Sequence, residues 1–198
     1  MFVEHTRENK CMEIKETSEL EKMRKKELYS FADKEVSASI EHAQKLCARL
    51  RTMTIYDNDY RKVLSELIPN MPESSMICPP FHCDHGHGII LGDDVFINYN
   101  AVMLDSGFIR IGNHVKIGPN CQFYTPNHPK DFMERRKPQE TAYPITIGDD
   151  CWIGGGVVIC PGVTIGNHCI VAAGSVVTKD IPDDSMAAGV PAEVKHKL

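Results

Sequence analysis

The sequence predicts a mainly β protein, a parallel β-helix preceded by a small helical cap. Two observations support this prediction: an aliphatic residue recurs at every sixth position near the C-terminus, whereas the first 75 residues show helical spacing. A helix repeats at about 3.6 residues and a strand at 2. A period of six therefore indicates short strands joined by tight corners. Its unbroken register is Ile147, Ile153, Ile159, Ile165, Val171 and Val177.

A second series of small or β-branched residues follows the first at a spacing of four: Cys151, Val157, Val163, Cys169, Ser175 and Ile181. Glycine and other turn-forming residues fill the gaps. An earlier, less regular block has the same period at Leu91, Ile97 and Met103, and at Ile111, Ile117 and Phe123. If three hexads close one triangular coil, only the next coil can cover its strand edges, so the coils must stack. Unrelated β-hairpins, the alternative, would not keep one period through six units.

The chain divides into three segments. Residues 1–16 are predicted to be a loose polar extension, 17–75 the helical cap, and 76–198 the β-helix with a long loop at about 124–144 and a short C-terminal tail. Ser18 and Glu21 resemble a capping box, Asp57 is expected to start the third helix, and Pro69 and Pro72 to close the cap. Helical spacing is carried by Leu20, Met23, Leu28 and Phe31, by Ile40, Ala43, Cys47, Leu50 and Met53, and by Tyr60, Val63, Leu64, Leu67 and Ile68.

Composition limits the possible partners. A formal net charge of -5 over 198 residues offers no basic surface for nucleic acid. No apolar run approaches the roughly 18 residues of a membrane helix, and no signal-peptide pattern opens the sequence, so we expect a cytoplasmic protein without a membrane partner. The eight cysteines form no C-x-x-C pair, which favours reduced core thiols. The histidines from His82 to His87 are too crowded for a zinc site, and no metal is predicted.

Motifs over nearly the whole chain resemble those of the maltose and galactoside O-acetyltransferases among the hexapeptide-repeat acyltransferases. The resemblance implies a left-handed coil, acetyl-CoA as cosubstrate, and a homotrimer with active sites between subunits. It also implies that acetyl passes directly from CoA sulfur to a sugar hydroxyl. The motifs are Leu28-Tyr29 with Ala32-Asp33, Cys83-Asp84-His85-Gly86, Asn98-Tyr99-Asn100, Met103-Leu104-Asp105, Thr125-Pro126-Asn127-His128-Pro129, Pro144-Ile145-Thr146-Ile147-Gly148 and Val177-Thr178-Lys179-Asp180-Ile181-Pro182.

His128, at the start of the long loop, is the predicted catalytic base. A histidine titrates near neutrality and can take the proton of a hydroxyl that attacks a thioester carbonyl. By position alone a solvated loop histidine is the more ordinary interpretation. The motif around His128 favours catalysis.

The resemblance also implies the binding residues. For the acceptor these are Asp84, Asn98 and Asp105, with Asp33 and Ser106 as further candidates, because their side chains can hold a polyhydroxylated ligand. Turn formation at corners is the alternative for Asn98 and Asp105. For CoA they are Trp152, Gly155, Ala173, Thr178, Lys179 and Lys195, and backbone donors to the transition state are expected near Ile97 or Gly155. Where basic residues commonly meet the nucleotide phosphates, this chain has Glu193 and His196.

Alternative functions stay open. A hexapeptide acetyltransferase could act on a non-sugar small molecule, and a trimeric scaffold would have no catalysis at all. A zinc carbonic anhydrase on this fold would need three histidines on facing coils, and His128 and His168 lack a third partner.

Overall fold

A computed structural model describes residues 17–198, so the predicted extension over residues 1–16 lies outside the described part of the chain. Three α-helices come first, and short strands make up most of the remainder. The helices are α1 (Glu19–Arg24), α2 (Lys34–Leu50) and α3 (Tyr60–Leu67), with a 3-10 helix at Glu134–Arg136.

Three parallel sheets form the faces of the β-helix, and the chain visits them in turn. Face 1 has β2 (Met76–Ile77), β5 (Phe96–Ile97), β8 (Lys116–Ile117), β13 (Trp152–Ile153), β16 (Ile170–Val171) and β18 (Ser185–Gly189), to which β19 (Ala192–Lys197) adds an antiparallel edge. Face 2 has β3 (Phe81–Cys83), β6 (Ala101–Leu104), β9 (Gln122–Tyr124), β14 (Val158–Ile159) and β17 (Val176–Val177). Face 3 has β4 (Ile89–Leu91), β7 (Ile109–Ile111), β12 (Ile145–Ile147) and β15 (Thr164–Ile165). We call the edges between faces corners 1–2, 2–3 and 3–1.

Strand register explains the period of six. Each hexad residue pairs with its equivalent one coil away: Ile147 with Ile111 and Ile165, and Ile153 with Ile117 and Val171. Because side chains alternate across a strand, these residues all point inward, and they are buried. The predicted fold class, a mainly β parallel β-helix with an N-terminal helical cap, is confirmed.

The helical cap covers the first coil. Leu46 and Leu50 of α2 and Leu64 of α3 belong to the same buried cluster as Ile77 and Phe81 of the first coil. The Tyr60 hydroxyl donates to the carbonyl of Ile77 at 2.6 Å. The apolar end of the coil stack is therefore closed by helices and not exposed to water.

Corner 3–1 repeats one hydrogen-bond pattern from coil to coil. The Asn113 side-chain oxygen accepts from the Asp93 N–H at 2.9 Å, and the Asp149 carboxylate accepts from the Asn113 N–H at 2.7 Å. Asn167 caps Asp149 in the same way at 2.9 Å. The next residue in each turn has a positive φ, as at His114 with 58°. Asn and Asp suit these corners because their side chains bond to local backbone.

Several cap predictions were refined or overturned. The Ser18 cap is confirmed, since its hydroxyl accepts from the Glu21 N–H at 3.2 Å. Leu28 and Phe31 were wrongly placed in a helix, because α1 ends at Arg24 and a strand, β1 (Tyr29–Ser30), follows.

The expected helix start at Asp57 was also wrong. Its carboxylate accepts from the N–H and hydroxyl of Thr54, at 2.6 and 2.7 Å, and so closes a turn before α3. α3 itself begins at Tyr60.

The long loop contains two strands, β10 (Pro126–Asn127) and β11 (Gln139–Ala142). β11 pairs antiparallel with both β10 and β1, which makes a three-stranded sheet outside the β-helix. We call the segment 125–143 the strap. The strap thus ties the helical cap to the coils.

Within residues 17–198 no helix is long and apolar enough to cross a membrane. The cysteines in this part of the chain are free thiols, all buried except the half-buried Cys160.

Removal of one corner side chain should weaken the stack by a small amount. We expect Asn113→Ala to lower the free energy of unfolding by about 1 kcal/mol, because the Asp93 N–H loses its acceptor. Urea denaturation followed by circular dichroism would measure it. Thr164→Ala, an exposed change in β15 outside this ladder, is the matched control. Equal midpoints for the two variants would contradict the stabilising role of the corner ladder.

Candidate active site

Most of the predicted site residues lie at two of the three corners; Asp33 lies in the helical cap, and Ile97, Trp152 and Lys195 lie in strands. Corner 2–3 carries Asp84 after β3, Asp105 and Ser106 after β6, His128 beyond β9, and Thr178 and Lys179 after β17. Corner 1–2 carries Asn98 after β5, Gly155 after β13 and Ala173 after β16. Since these are different edges of the coil, one chain does not bring the two sets together.

A cross-strand row places His128 beside a buried acid. In the three-stranded sheet Tyr29 of β1 is the direct partner of Glu140 of β11. Asn127 of β10 pairs with Thr141, so antiparallel register sets His128 against Glu140. Backbone pairing therefore aligns Tyr29, Glu140 and His128 in one line.

The side chains of this row are in contact. The Nδ1 atom of His128 lies 3.7 Å from Oε2 of Glu140, and the Tyr29 hydroxyl donates to Oε1 of the same carboxylate. Glu140 is only 8% exposed, whereas the His128 side chain is 55% exposed. The edge of the Phe31 ring packs near the imidazole, with centroids 6.3 Å apart. A carboxylate at Nδ1 favours the tautomer that leaves Nε2 free to accept a proton.

Tyr29 remains a hydrogen-bond donor. Burial, with the hydrogen bond to the Glu140 carboxylate as the second cause, raises the pKa of Tyr29 far above its ordinary value. Ser106 also lies within hydrogen-bond reach of Tyr29. The protonated phenol holds Glu140 in place as a fixed partner for His128.

Asp105 is fully buried and organises the loop that carries Asp84. Its Oδ1 accepts from the N–H groups of Asp84 and His85 at 3.1 and 2.8 Å, and its Oδ2 accepts from Gly88 at 2.9 Å. The Arg24 guanidinium donates to the Asp105 carbonyl at 2.6 Å. These bonds favour the turn-forming interpretation of Asp105. Its carboxylate holds the backbone of Asp84 and so fixes the position of that residue.

Asp84 is the acceptor candidate with the most perturbed chemistry. Burial first, then the carboxylates of Asp105 and Glu140, raises its pKa to about 7. Near neutral pH its carboxyl can therefore both donate to and accept from an acceptor hydroxyl. Asp84 and His128 share Glu140 as an electrostatic neighbour.

Asn98 and Asp33 lie elsewhere. At corner 1–2 the Asn98 side-chain oxygen accepts from the Tyr99 N–H at 2.8 Å. Asp33 is the N-cap of α2, where Oδ1 accepts from the N–H groups of Glu35 and Val36 at 2.9 and 3.3 Å. Its role as a helix cap explains an aspartate at position 33 without any contact to the acceptor substrate.

The predicted CoA contacts at corner 1–2 form a backbone-lined surface. Trp152 is 58% exposed, and a Cβ added at Gly174, next to Ala173, would meet no atom within 4 Å. By contrast a Cβ added at Gly154 would lie 2.5 Å from the Ala173 nitrogen, so at Gly154 the backbones of two successive coils are in close contact. Small residues here let a narrow chain such as pantetheine reach the backbone.

The remaining CoA and transition-state candidates differ in accessibility. Thr178 and Lys179 are exposed, and the Lys195 ammonium pairs with Glu193 at 3.3 Å, which offsets its charge. The Ile97 carbonyl accepts from the Cys78 N–H at 2.8 Å, and in a parallel ladder the Ile97 N–H points to the same neighbour, β2. Gly155 lies outside the strands, so it is the better-placed backbone donor.

Among residues 17–198 no cluster of three or more His, Cys, Asp or Glu side chains is arranged to hold a metal ion. His82 is exposed, and His85 is buried with its Nδ1 2.9 Å from the Ser39 hydroxyl. Burial lowers the pKa of His85 to about 4, so it is neutral at pH 7. The crowded histidines thus serve the contact between cap and β-helix.

Comparison with known proteins gives the family. The model for the bacterial transferase hexapeptide (six repeats) matches residues 144–179. A hexapeptide-repeat acetyltransferase of Vibrio cholerae O1 biovar eltor, solved with acetyl coenzyme A, is 43% identical, with a TM-score of 0.86 over 92% of this chain and 99% of that one. A maltose O-acetyltransferase of Clostridium difficile 630 is 36% identical, with a TM-score of 0.88 over 92% and 98%.

The Escherichia coli K12 galactoside O-acetyltransferase is 39% identical over 136 residues, 69% of this chain and 67% of that protein. Both the repeat and the relatives define an acyl-transferring class of β-helix protein. The chain belongs to the hexapeptide-repeat acetyltransferase family, as its motifs indicated.

Sequence reasoning missed Glu140 and the role of Tyr29. Glu140 lies among seven charged residues of the long loop, so nothing local distinguishes it. An alternation of buried and part-exposed residues over Gln139–Ala142 marks the strand only once burial is known. Tyr29 belongs to one of the recognised motifs, but its hydrogen-bond partner, Glu140, is 111 residues away in the sequence.

The raised pKa of Asp84 predicts a pH-dependent stability cost. Its folded pKa of about 7 exceeds the ordinary 3.8, so the stability of the protonated form is lost as pH rises toward and through 7. We expect Asp84→Asn to be more stable than wild type at pH 8, by about 2 kcal/mol. The difference should shrink toward pH 4.

Thermal melts at several pH values would measure this difference. Glu73→Gln, which removes an exposed acid outside the site, is the control and should show no such trend. A constant offset between Asp84→Asn and wild type would mean that Asp84 does not titrate as described.

Proposed function

We propose that this protein transfers acetyl from acetyl-CoA to a hydroxyl of a sugar, of the maltose, glucoside or galactoside type, with His128 as general base. The observation that carries the proposal is the Tyr29–Glu140–His128 row, which sets a solvent-facing imidazole against a buried carboxylate. Family membership supplies the acetyl-transfer chemistry, and acetyl-CoA is the cosubstrate. The named maltose and galactoside enzymes support a sugar acceptor.

The chain's own residues can perform direct transfer. Nε2 of His128 takes the proton of the acceptor hydroxyl as its oxygen bonds to the thioester carbonyl carbon. Glu140 stabilises the resulting imidazolium, as a buried acid does in other histidine-based sites. In the trimer proposed below, the Gly155 N–H of a neighbouring copy would stabilise the oxyanion. As the carbon–sulfur bond breaks, the imidazolium returns its proton to the departing sulfur, so no acyl-enzyme forms.

The surroundings of His128 suit a carbohydrate. A cleft of about 460 Å³ opens beside it, and its lining mixes apolar and polar groups: Leu28, Asn127, Pro129, Lys130, Glu134, Gln139, Thr141 and Tyr143. Sugars present both apolar ring faces and hydroxyl groups, and pockets for them combine these features.

A homotrimer would complete the site. One chain separates corner 2–3 from corner 1–2, so His128 and Asn98 can meet only if a second copy presents its corner 1–2 to the first. Apolar side chains on the outer side of face 1, at Met76, Phe96, Ile170 and Met186, supply surface that such contact would bury. Cyclic symmetry then repeats the site three times.

Replacement of the base should abolish transfer. We expect His128→Ala to lower acetyl-CoA-dependent acetylation by about a hundredfold or more, and Glu140→Gln by about tenfold, because the amide keeps the shape but not the charge. Release of free CoA thiol with a panel of glucosides, galactosides and maltose would measure the rates.

Arg136→Ala, in the same strap, exposed and outside the lining of the cleft, is the control for general disturbance of the strap. Equal rates for wild type and His128→Ala would remove His128 from the mechanism. Thiol release with amines or drugs but no sugar would support a non-sugar acceptor, and no release at all would favour the scaffold.

Mixed trimers would test the shared site. We expect His128→Ala and Asn98→Ala each to be nearly inactive, and their co-refolded mixture to recover about a quarter of wild-type activity. Random mixing makes about three quarters of trimers mixed, and each mixed trimer has one intact site of three. A mixture as inactive as its parents would place both residues' functions within one chain.

A further inference from the structure

Two thiols face each other across the boundary between the helical cap and the β-helix. The Sγ atoms of Cys47, in α2, and Cys83, at the end of β3, are 3.8 Å apart. The residues are only 4% and 7% exposed. They are 36 residues apart in sequence, so the contact exists only because α2 packs on face 2. Catalysis as proposed above uses neither thiol.

Small molecules can reach this pair. A cleft of about 200 Å³ opens on it, lined by Gln44, Cys47, Ala48, Arg51, His82 and Cys83. A water molecule occupies about 30 Å³ in the liquid, so a peroxide-sized molecule fits. The other buried cysteines lie inside the coil stack, and no thiol contact of theirs across the cap boundary is found among the described residues.

The two thiols are not equivalent. A hydrogen bond from Cys83 lowers the pKa of Cys47, while the same bond and burial raise the pKa of Cys83. Arg51 also lines the cleft and brings a positive charge to it. Since the thiolate is the reactive form, Cys47 is the attacking sulfur and Cys83 the resolving one.

We propose that Cys47 and Cys83 form a reversible oxidation site, closed to a disulfide by a two-electron oxidant of the peroxide class. The Cys47 thiolate attacks a peroxide oxygen and becomes a sulfenic acid, and the displaced hydroxide takes up a proton to give water. The Cys83 sulfur then attacks the sulfenic sulfur, and a second water leaves. In total the two thiols lose two protons and two electrons, which reduce one hydrogen peroxide to two waters.

Disulfide closure would act on the acceptor side of the site. A disulfide requires sulfurs about 2.05 Å apart, so the two must approach by roughly 1.8 Å from their present separation. Cys83 immediately precedes Asp84, whose N–H is held by Asp105 at 3.1 Å. Movement at Cys83 therefore displaces Asp84. This consequence rests on the proposed function, whereas the disulfide itself does not.

The test uses the full-length protein, first reduced and then freed of reductant. Hydrogen peroxide or diamide is added, and intact mass and tryptic peptides are measured with free thiols blocked. We expect a loss of two hydrogens and a cross-linked peptide that joins Cys47 to Cys83. Acetylation should fall by about tenfold or more, because a misplacement of about 1 Å can cost that much. The loss should appear as a higher KM for sugar with an unchanged KM for acetyl-CoA, and dithiothreitol should reverse it.

Matched variants separate this site from general oxidation. Cys47→Ala should keep the activity of the reduced enzyme and lose its sensitivity to oxidant. Cys160→Ala, which removes a half-buried free thiol outside the cap boundary, should remain as sensitive as wild type. Cys47→Ser serves as a second variant if the alanine protein is poorly folded.

The outcomes separate the oxidation site from its coupling to Asp84. Absence of the Cys47–Cys83 peptide after oxidation would overturn the oxidation site, and a cross-link with unchanged sugar KM would overturn its coupling to Asp84. If the reduced protein acetylates no acceptor, the proposed function has failed. Peptide mapping still decides the disulfide in that case, and sugar binding by calorimetry decides the coupling.

Discussion

The parallel ladder between successive coils is the constraint on which the rest of the structure depends. Each strand bonds to the strand one coil before and one coil after it, so equivalent residues stack in columns along the three faces and corners. This stacking turns positions distant in sequence into neighbours. Asp84, Asp105 and the start of the strap follow three successive strands of face 2, which is why Asp84, Asp105 and Ser106 share corner 2–3.

His128, the proposed base, lies where the parallel ladder is interrupted. The strap leaves the β-helix after β9 and returns before β12, and its two strands pair with each other and with β1 of the cap. This small antiparallel sheet lies outside the coils. It gives His128 what a corner cannot supply, a buried carboxylate on an adjacent strand and a protonated phenol behind it. The stack of coils thus supports a short accessory sheet that carries His128, the proposed base.

The helical cap has two roles that explain its polar contacts. α2 and α3 close the apolar end of the first coil, while Arg24 of α1 and Ser39 of α2 bond to the loops that surround Asp84. Neutral His85 and buried Asp105 belong to the same boundary. Changes at the cap therefore reach the acceptor side of the site through hydrogen bonds, and the Cys47–Cys83 contact lies on this route.

The sequence alone determined the coil architecture, because a six-residue repeat is local and every hexad turns its aliphatic residue inward. It also located the long loop, and the motif around His128 made that residue the candidate base. It also predicted the Ser18 cap from a three-residue spacing. It could not find Glu140 or the role of Tyr29, which pair across 111 residues in a sheet without periodicity. Asp33 looks like a ligand in the sequence, but it caps α2 through the N–H groups two and three residues later, which is a local pattern. Asp105 also looks like a ligand, and only tertiary structure shows its carboxylate satisfied by three N–H groups. Those three bonds join segments that come together only after folding, so no local pattern encodes them.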